Sequence, residues 1–167
     1  MSELIEIPTP AARAISKAVR FARDFGGIVL FSVAGPRDTA AMRRFLRARR
    51  AATIILRCQT TTTAHVILRR LARQLELVPT GSRSRISGAD LYKLLGKQLT
   101  GGRMLLVLDG AHRLTNTAFG LLRTLFNDHR LPVLLLTNEG SAPAVRRRML
   151  KHLTWRAAQY PFGKRHD

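Results

Sequence analysis

At 167 residues, 46% of them hydrophobic and 6% aromatic, the chain is long enough for one packed domain and too short for two large ones. Lysine and arginine total 29 against 10 acids, a formal charge of +19, and 24 of the cations are arginine, so an anion-binding surface is the default expectation. Apolar runs recur along the whole length with the charges interspersed among them, which argues against a disordered basic tail.

From Pro10 to Phe25, the residues Ala11, Ala14, Ile15, Ala18, Val19, Ala22 and Phe25 recur at steps of three and four, with Arg13, Lys17 and Arg20 on another face. That period predicts an amphipathic helix, which Gly26 and Gly27 stop. Ile28 to Ala34 is too short for a helix and rich in β-branched and aromatic residues, so it reads as a buried strand. Gly35 and Pro36 turn the chain, proline suits the first turn of a helix, and Met42, Phe45 and Leu46 give that helix a core stripe. The pattern then repeats. Thr53 to Cys58 reads as a strand, and Thr60 to Thr63 offer caps for a helix burying Ala64, Ile67, Leu68, Leu71 and Leu75.

Thr80 to Ser87 is the most loop-like and basic stretch. Ser87 and Asp90 have capping-box spacing for a helix through Leu91, Leu94, Leu95 and Leu99, ended by Gly101 and Gly102. Met104 to Leu108 forms a third strand leading to Asp109, and a helix starting near Thr115 carries Phe119, Leu122 and Phe126. Pro132 to Leu136 forms a fourth strand ending at Thr137 and Asn138, Pro143 to Leu153 a further helix, and Trp155 to Phe162 a fifth strand. Strands separated by helices imply right-handed crossovers and a parallel sheet covered on both faces. The expected fold is therefore α/β, a three-layer parallel sheet of about five strands, as one domain with a short basic C-terminal tail.

Ligands of open parallel sheets gather at the carboxyl ends of the strands. Those ends read SVAGPRDT from Ser32, LLVLDGAH from Leu105 and LLLTN from Leu134. Their order and spacing resemble the core of an AAA+ ATPase, in particular the MuB/TnsC/TniB group of transposition ATPases that bind DNA. LLVLDGAHRL resembles the Walker B stretch, and LLLTNEG resembles the sensor-1 strand that ends in Asn. The resemblance covers roughly residues 10 to 162 and implies a P-loop NTPase core without a lid domain, since the lid would begin near the end of this chain.

On that resemblance, Ser32 and Gly35 fall on the opening and an internal glycine of the phosphate-binding loop, Arg37 on its last glycine, and Asp38 on its lysine. Thr39 takes the hydroxyl position and Asp109 the Walker B acid, the two groups that would hold Mg²⁺. ATP would accordingly meet Gly35, Arg37, Thr39 and Asp109. Yet Asp38 turns an attraction to phosphate into a repulsion, and a side chain at position 37 obstructs close backbone approach. Gly110 stands where the family carries the water-activating Glu, and His112, although it matches a family position, does not replace that acid without suitable geometry. Asn138 matches sensor 1, with capping of the loop after the strand as the alternative of equal weight. The losses together imply a pseudo-ATPase. Arg148 and Arg156 are the candidates for an arginine supplied to a neighbour.

With nucleotide chemistry impaired, duplex DNA becomes the favoured partner, because many arginine–phosphate contacts release counterions and need no base readout. Arg69, Arg70 and Arg73 lie along one side of a crossover helix, Arg83 and Arg85 in the small-residue loop, and Arg146, Arg147 and Arg148 form the densest cluster. Taken singly, each is more readily a solvated helix face. The resemblance implies assembly with itself or with a related AAA+ or transposition protein on DNA, in a cytoplasmic, nucleoid-associated setting. Two other readings stay open: an active DNA-stimulated ATPase whose altered loop uses Arg37, and a protein-interaction module that binds no DNA.

Other chemistry has little support. His65, His112, His129, His152 and His166 lack paired metal-ligand spacing. Cys58, the single cysteine, rules out an internal disulfide framework and reads as a small buried residue in a reducing compartment. The aromatic residues are too sparse for a single-strand stacking platform, and no helix-turn-helix signature is evident. The longest apolar runs fall far short of the ~20 residues that cross a bilayer. Glu3, Glu6, Pro8 and Pro10 stand where a signal peptide would be apolar.

Overall fold

The computed structural model describes residues 10–24, 27–48, 53–79, 86–100 and 104–152. Within them four strands, β1 (Ile28–Val33), β2 (Thr53–Arg57), β3 (Leu105–Asp109) and β4 (Val133–Asn138), form one parallel sheet in the order β1-β4-β3-β2. Six helices accompany them: α1 (Pro10–Asp24), α2 (Pro36–Ala48), α3 (Ala64–Gln74), α4 (Gly88–Leu99), α5 (Asn116–His129) and α6 (Ala142–His152). The sheet thus has the expected parallel, helix-covered architecture. The fifth strand expected at 155–162 lies outside the described residues.

Burial explains which strands are central. β3 and β4 are buried on both faces, Leu105 to Leu108 and Val133 to Leu136 each being at most 1% exposed, which is why both read as unbroken apolar runs rather than alternating ones. β1 pairs with β4 from Ile28 opposite Val133 to Val33 opposite Asn138, and β3 with β4 up to Asp109 opposite Leu136. β4 therefore projects past Asp109 by Thr137 and Asn138, and β1 keeps pace with it.

Chain direction sorts the helices. From β1 the chain crosses the whole sheet to β2 through α2, then returns by β3 to β4 through α3, α4 and α5. Right-handed crossovers taken in opposite directions place their helices on opposite faces. One face is accordingly covered by α1 and α2, whose Ile15, Ala18, Val19, Ala22, Met42 and Leu46 pack on Val29, Phe31, Leu134 and Leu136. The other is covered by α3 to α6, with Ile67, Leu71, Leu95, Phe119, Leu122 and Val145 in one core with Ile54, Leu106, Leu108 and Leu135.

Local chemistry sets the helix starts. Pro36 is the first residue of α2. Thr63 and Thr115 cap α3 and α5 by accepting from Val66 N and Ala118 N. Ser87 caps α4, its Oγ accepting from Asp90 N at 3.1 Å while its hydroxyl donates to the Asp90 carboxylate at 2.6 Å. In α3 the buried set is Ile67, Leu68, Leu71 and Ala72, whereas Ala64 and Leu75 are only partly covered. The stripe is shifted from the expected one because α3 is also packed against α4 and α5.

Candidate functional site at the carboxyl ends of the strands

The strand order reverses beside β1, since its connection leaves across the sheet toward α2 while β4 leads to α6 on the other face. Such a switch point opens a crevice at the strand carboxyl ends. A pocket of about 130 Å³ lies there, lined by Val33 of β1, Thr39 and Met42 of α2, Asp109, Gly110 and His112 following β3, and Leu136, Thr137 and Asn138 of β4.

Asp109 is 8% exposed, the only buried acid among the described residues. Its carboxylate is taken by Arg43 of α2: Nη2 lies 2.6 Å and Nε donates at 2.7 Å, both to Oδ2. A guanidinium thus holds the acid from across 66 residues of sequence. Such charge-assisted, two-nitrogen contacts are the strong class of hydrogen bond. Arg43 escaped the sequence reading. Its available signal was position: it stands four residues after Thr39, on the same helix face as the hydroxyl that meets the strand ends.

Gly110 turns the chain out of β3. Its φ of +87° lies in the left-handed region, where a side chain is strained, and its N–H donates to Leu136 O at 3.0 Å. The single 3-10 turn Ala111–Arg113 follows, placing the His112 ring so that Nδ1 is 3.3 Å from Thr137 Oγ1. Burial, then the neighbouring Arg113, lower the His112 pKa, with Asp109 opposing them. Behind this turn Cys58 is buried, and burial followed by the charge of Asp109 pushes its thiol up to about 11. It is therefore protonated at neutral pH, as a packing residue rather than a nucleophile.

Thr39 donates its hydroxyl to Gly35 O at 3.0 Å. Arg37 and Asp38 belong to the first turn of α2, but their side chains lie outside the described set. Asn138 is exposed, and its Oδ1 accepts from Ser141 N at 2.7 Å, capping the turn that leads into α6. The side chain therefore performs the capping role while bordering the pocket.

Two of the basic residues expected on DNA serve as internal fasteners. Arg70 donates to Arg57 O at 2.5 Å and to Gln59 Oε1 at 2.9 Å, fastening α3 to the end of β2. Arg148 donates to Leu114 O and to Asn116 Oδ1 and stacks 4.8 Å over Phe119, so its guanidinium secures the start of α5. Arg73, Arg146 and Arg147 are exposed and Arg69 is half-buried. Arg83, Arg85 and Arg156 lie outside the described residues.

The parallel order β1-β4-β3-β2, helices on both faces and a crevice at the strand ends define an α/β P-loop NTPase fold. The AAA domain family matches residues 39–144, well over half of the chain, and the protein belongs to that family. In structure the chain is similar to Cdc6p from Pyrobaculum aerophilum, with a TM-score of 0.57 and 16% identity over 96% of this chain and 46% of that one. It is also similar to a chain in the structure of Drosophila ORC bound to AT-rich DNA and Cdc6, with a TM-score of 0.59 and 9% identity over 92% of this chain and 57% of that one. A chain in the structure of Drosophila ORC bound to DNA gives 0.58 and 8%, covering 92% and 93%. The chain thus spans about half the length of the first two. A comparison with curated protein sequences finds no match. Among the described residues no helix is long and apolar enough to cross a membrane, and no cluster of three metal-ligating side chains occurs.

Proposed function

We propose that this protein is an AAA+ core that has given up ATP hydrolysis and binds duplex DNA through its basic surface without needing nucleotide. The observation that carries the reading is the Arg43–Asp109 ion pair. The family uses this acid to position Mg²⁺, and here its charge is already neutralised by a guanidinium within hydrogen-bond distance. A magnesium–nucleotide does not fit this donor set. Gly110 offers no carboxylate to activate water, and Asp38 stands in the sequence where the phosphate lysine belongs.

The charge of +19 supports a polyanion as partner. The chains it resembles come from structures of ORC bound to DNA, and the same partner is proposed here. The sequence likeness of LLVLDGAHRL and LLLTNEG to the MuB/TnsC/TniB group extends the reading to self-assembly or assembly with a related AAA+ protein during transposition target selection, in the cytoplasm on the nucleoid.

The test pairs nucleotide and DNA titrations on the purified protein. Fluorescent ATP should give no saturable micromolar binding and no phosphate release, with or without duplex. A labelled duplex should bind with strong salt dependence in the absence of nucleotide. Micromolar ATP affinity with DNA-stimulated turnover would favour instead an active ATPase with an altered phosphate loop. Absence of DNA binding would favour a protein-interaction module.

A further inference from the structure

The two helical layers carry their charge differently. On α1, Ile15, Ala18, Val19 and Ala22 are buried, and Arg13, Lys17 and Arg20 are exposed on the opposite side at steps of four and three. On α2, Met42 and Leu46 are buried while Arg44 and Arg47, three apart, are exposed. The two helices contact each other and share one core cluster over the same face of the sheet. Their outward sides therefore form one surface. Among the described side chains the sole exposed acid on it is Asp24, at the end of α1.

Like charges three and four residues apart on a helix repel and weaken it. None of these five cations has an ion-pair partner among the described residues, where Asp24, four residues after Arg20, is the one exposed acid on this face, so the repulsion is at most partly offset there. The other layer is mixed: Glu76, Asp90, Asp128 and Glu139 are exposed among its cations, and Arg70 and Arg148 are used to hold the fold together. A self-repelling face is relieved by a polyanion, and a mixed face gains far less from one.

We propose that the outward face of α1 and α2, built on Arg13, Lys17, Arg20, Arg44 and Arg47, receives the phosphate backbone of duplex DNA. This rests on the reading that the protein binds duplex DNA and assigns the contact to the layer opposite the arginine triplet of α6. Arg13 to Arg20 extends about 10 Å along the helix axis, and a duplex presents one negative charge per ~1.7 Å of its own axis. Several phosphates thus fall within reach of the stripe. Cations of this kind position the backbone and read no bases.

Two neutralised proteins test the assignment against a labelled duplex across a salt series: Arg13→Gln/Lys17→Gln/Arg20→Gln/Arg44→Gln/Arg47→Gln, and Arg146→Gln/Arg147→Gln. Each lost phosphate contact removes about 0.9 from the slope of log affinity against log salt. The fivefold variant is expected to lose several such steps and more than tenfold in affinity, and the α6 variant much less. An unchanged slope in the fivefold variant beside a reduced one in the α6 variant would overturn the assignment while leaving DNA binding intact. Failure of the unmodified protein to bind duplex would overturn both. A second readout needs no variant: on the unmodified protein, duplex should shield Lys17 from chemical acetylation while the exposed Lys93 and Lys97 of α4 stay reactive. The reverse pattern rejects the proposal even if the fivefold variant does not fold.

Discussion

The two walls of the pocket are built on different terms. The wall from β3 and β4 is held by local turns: Gly110 turns at positive φ, its N–H bonds Leu136 O, and the Asn138 side chain caps the next turn. On the β1 and α2 side, Val33, Thr39 and Met42 line the pocket, and beside them Arg43 reaches from the second turn of α2 to the Asp109 carboxylate. Turns closed by neighbouring residues depend on few distant partners. The side held by an ion pair depends on both of its partners, and here it places a guanidinium against the one buried acid among the described residues.

The largest test of that contrast is Arg43→Ala. Breaking a buried pair by removing one partner costs about 3–5 kcal/mol, but Arg43 is 32% exposed and solvent screens part of the loss, so about 2 kcal/mol is expected in urea unfolding. Adding Asp109→Ala to that variant should recover part of the loss, and a coupling energy near zero in the double-mutant cycle would show the pair to be idle.

Next in size is Gly110→Glu, which places an acid directly after Asp109. The left-handed backbone should cost it about 1–2 kcal/mol, and phosphate release should stay at background because Arg43 still occupies Asp109. Appearance of turnover in this variant would mean that the β1–α2 wall is competent after all. A smaller loss, about 1 kcal/mol, is expected for Asn138→Ala from the missing cap. It is read as a lowered urea midpoint, with DNA affinity unchanged.

The smallest effect is in pH. Burial lowers the His112 pKa below its ordinary 6.5, so the unfolded chain binds more protons between the two values. Its contribution is therefore full above pH 6.5 and is lost as pH falls through the lower, folded value. His112→Gln should flatten that part of the stability profile in a midpoint-against-pH series. An unaltered profile would assign the acid sensitivity elsewhere.

The elements themselves were legible from local chemistry. Apolar periodicity places α1 and α5, Pro36 begins α2, Thr63 and Ser87 cap α3 and α4, and the unbroken runs in β3 and β4 announce strands buried on both faces. Asp109, Gly110 and Asn138 were legible as a site because they follow strands, and strand ends are where parallel sheets present side chains. Boundaries moved by a residue, as at β1 and β2, which end at Val33 and Arg57 rather than at Ala34 and Cys58.

Period and spacing along the chain thus decide which residues are helical, which are extended and which face inward, because those preferences act within a few turns of backbone. The meeting of Arg43 with Asp109 and the gathering of α1 and α2 cations on one outer face belong to the assembled sheet alone. So does the use of Arg70 and Arg148 as internal fasteners. Each depends on strand order and crossover hand, and these bring together groups that lie far apart along the chain.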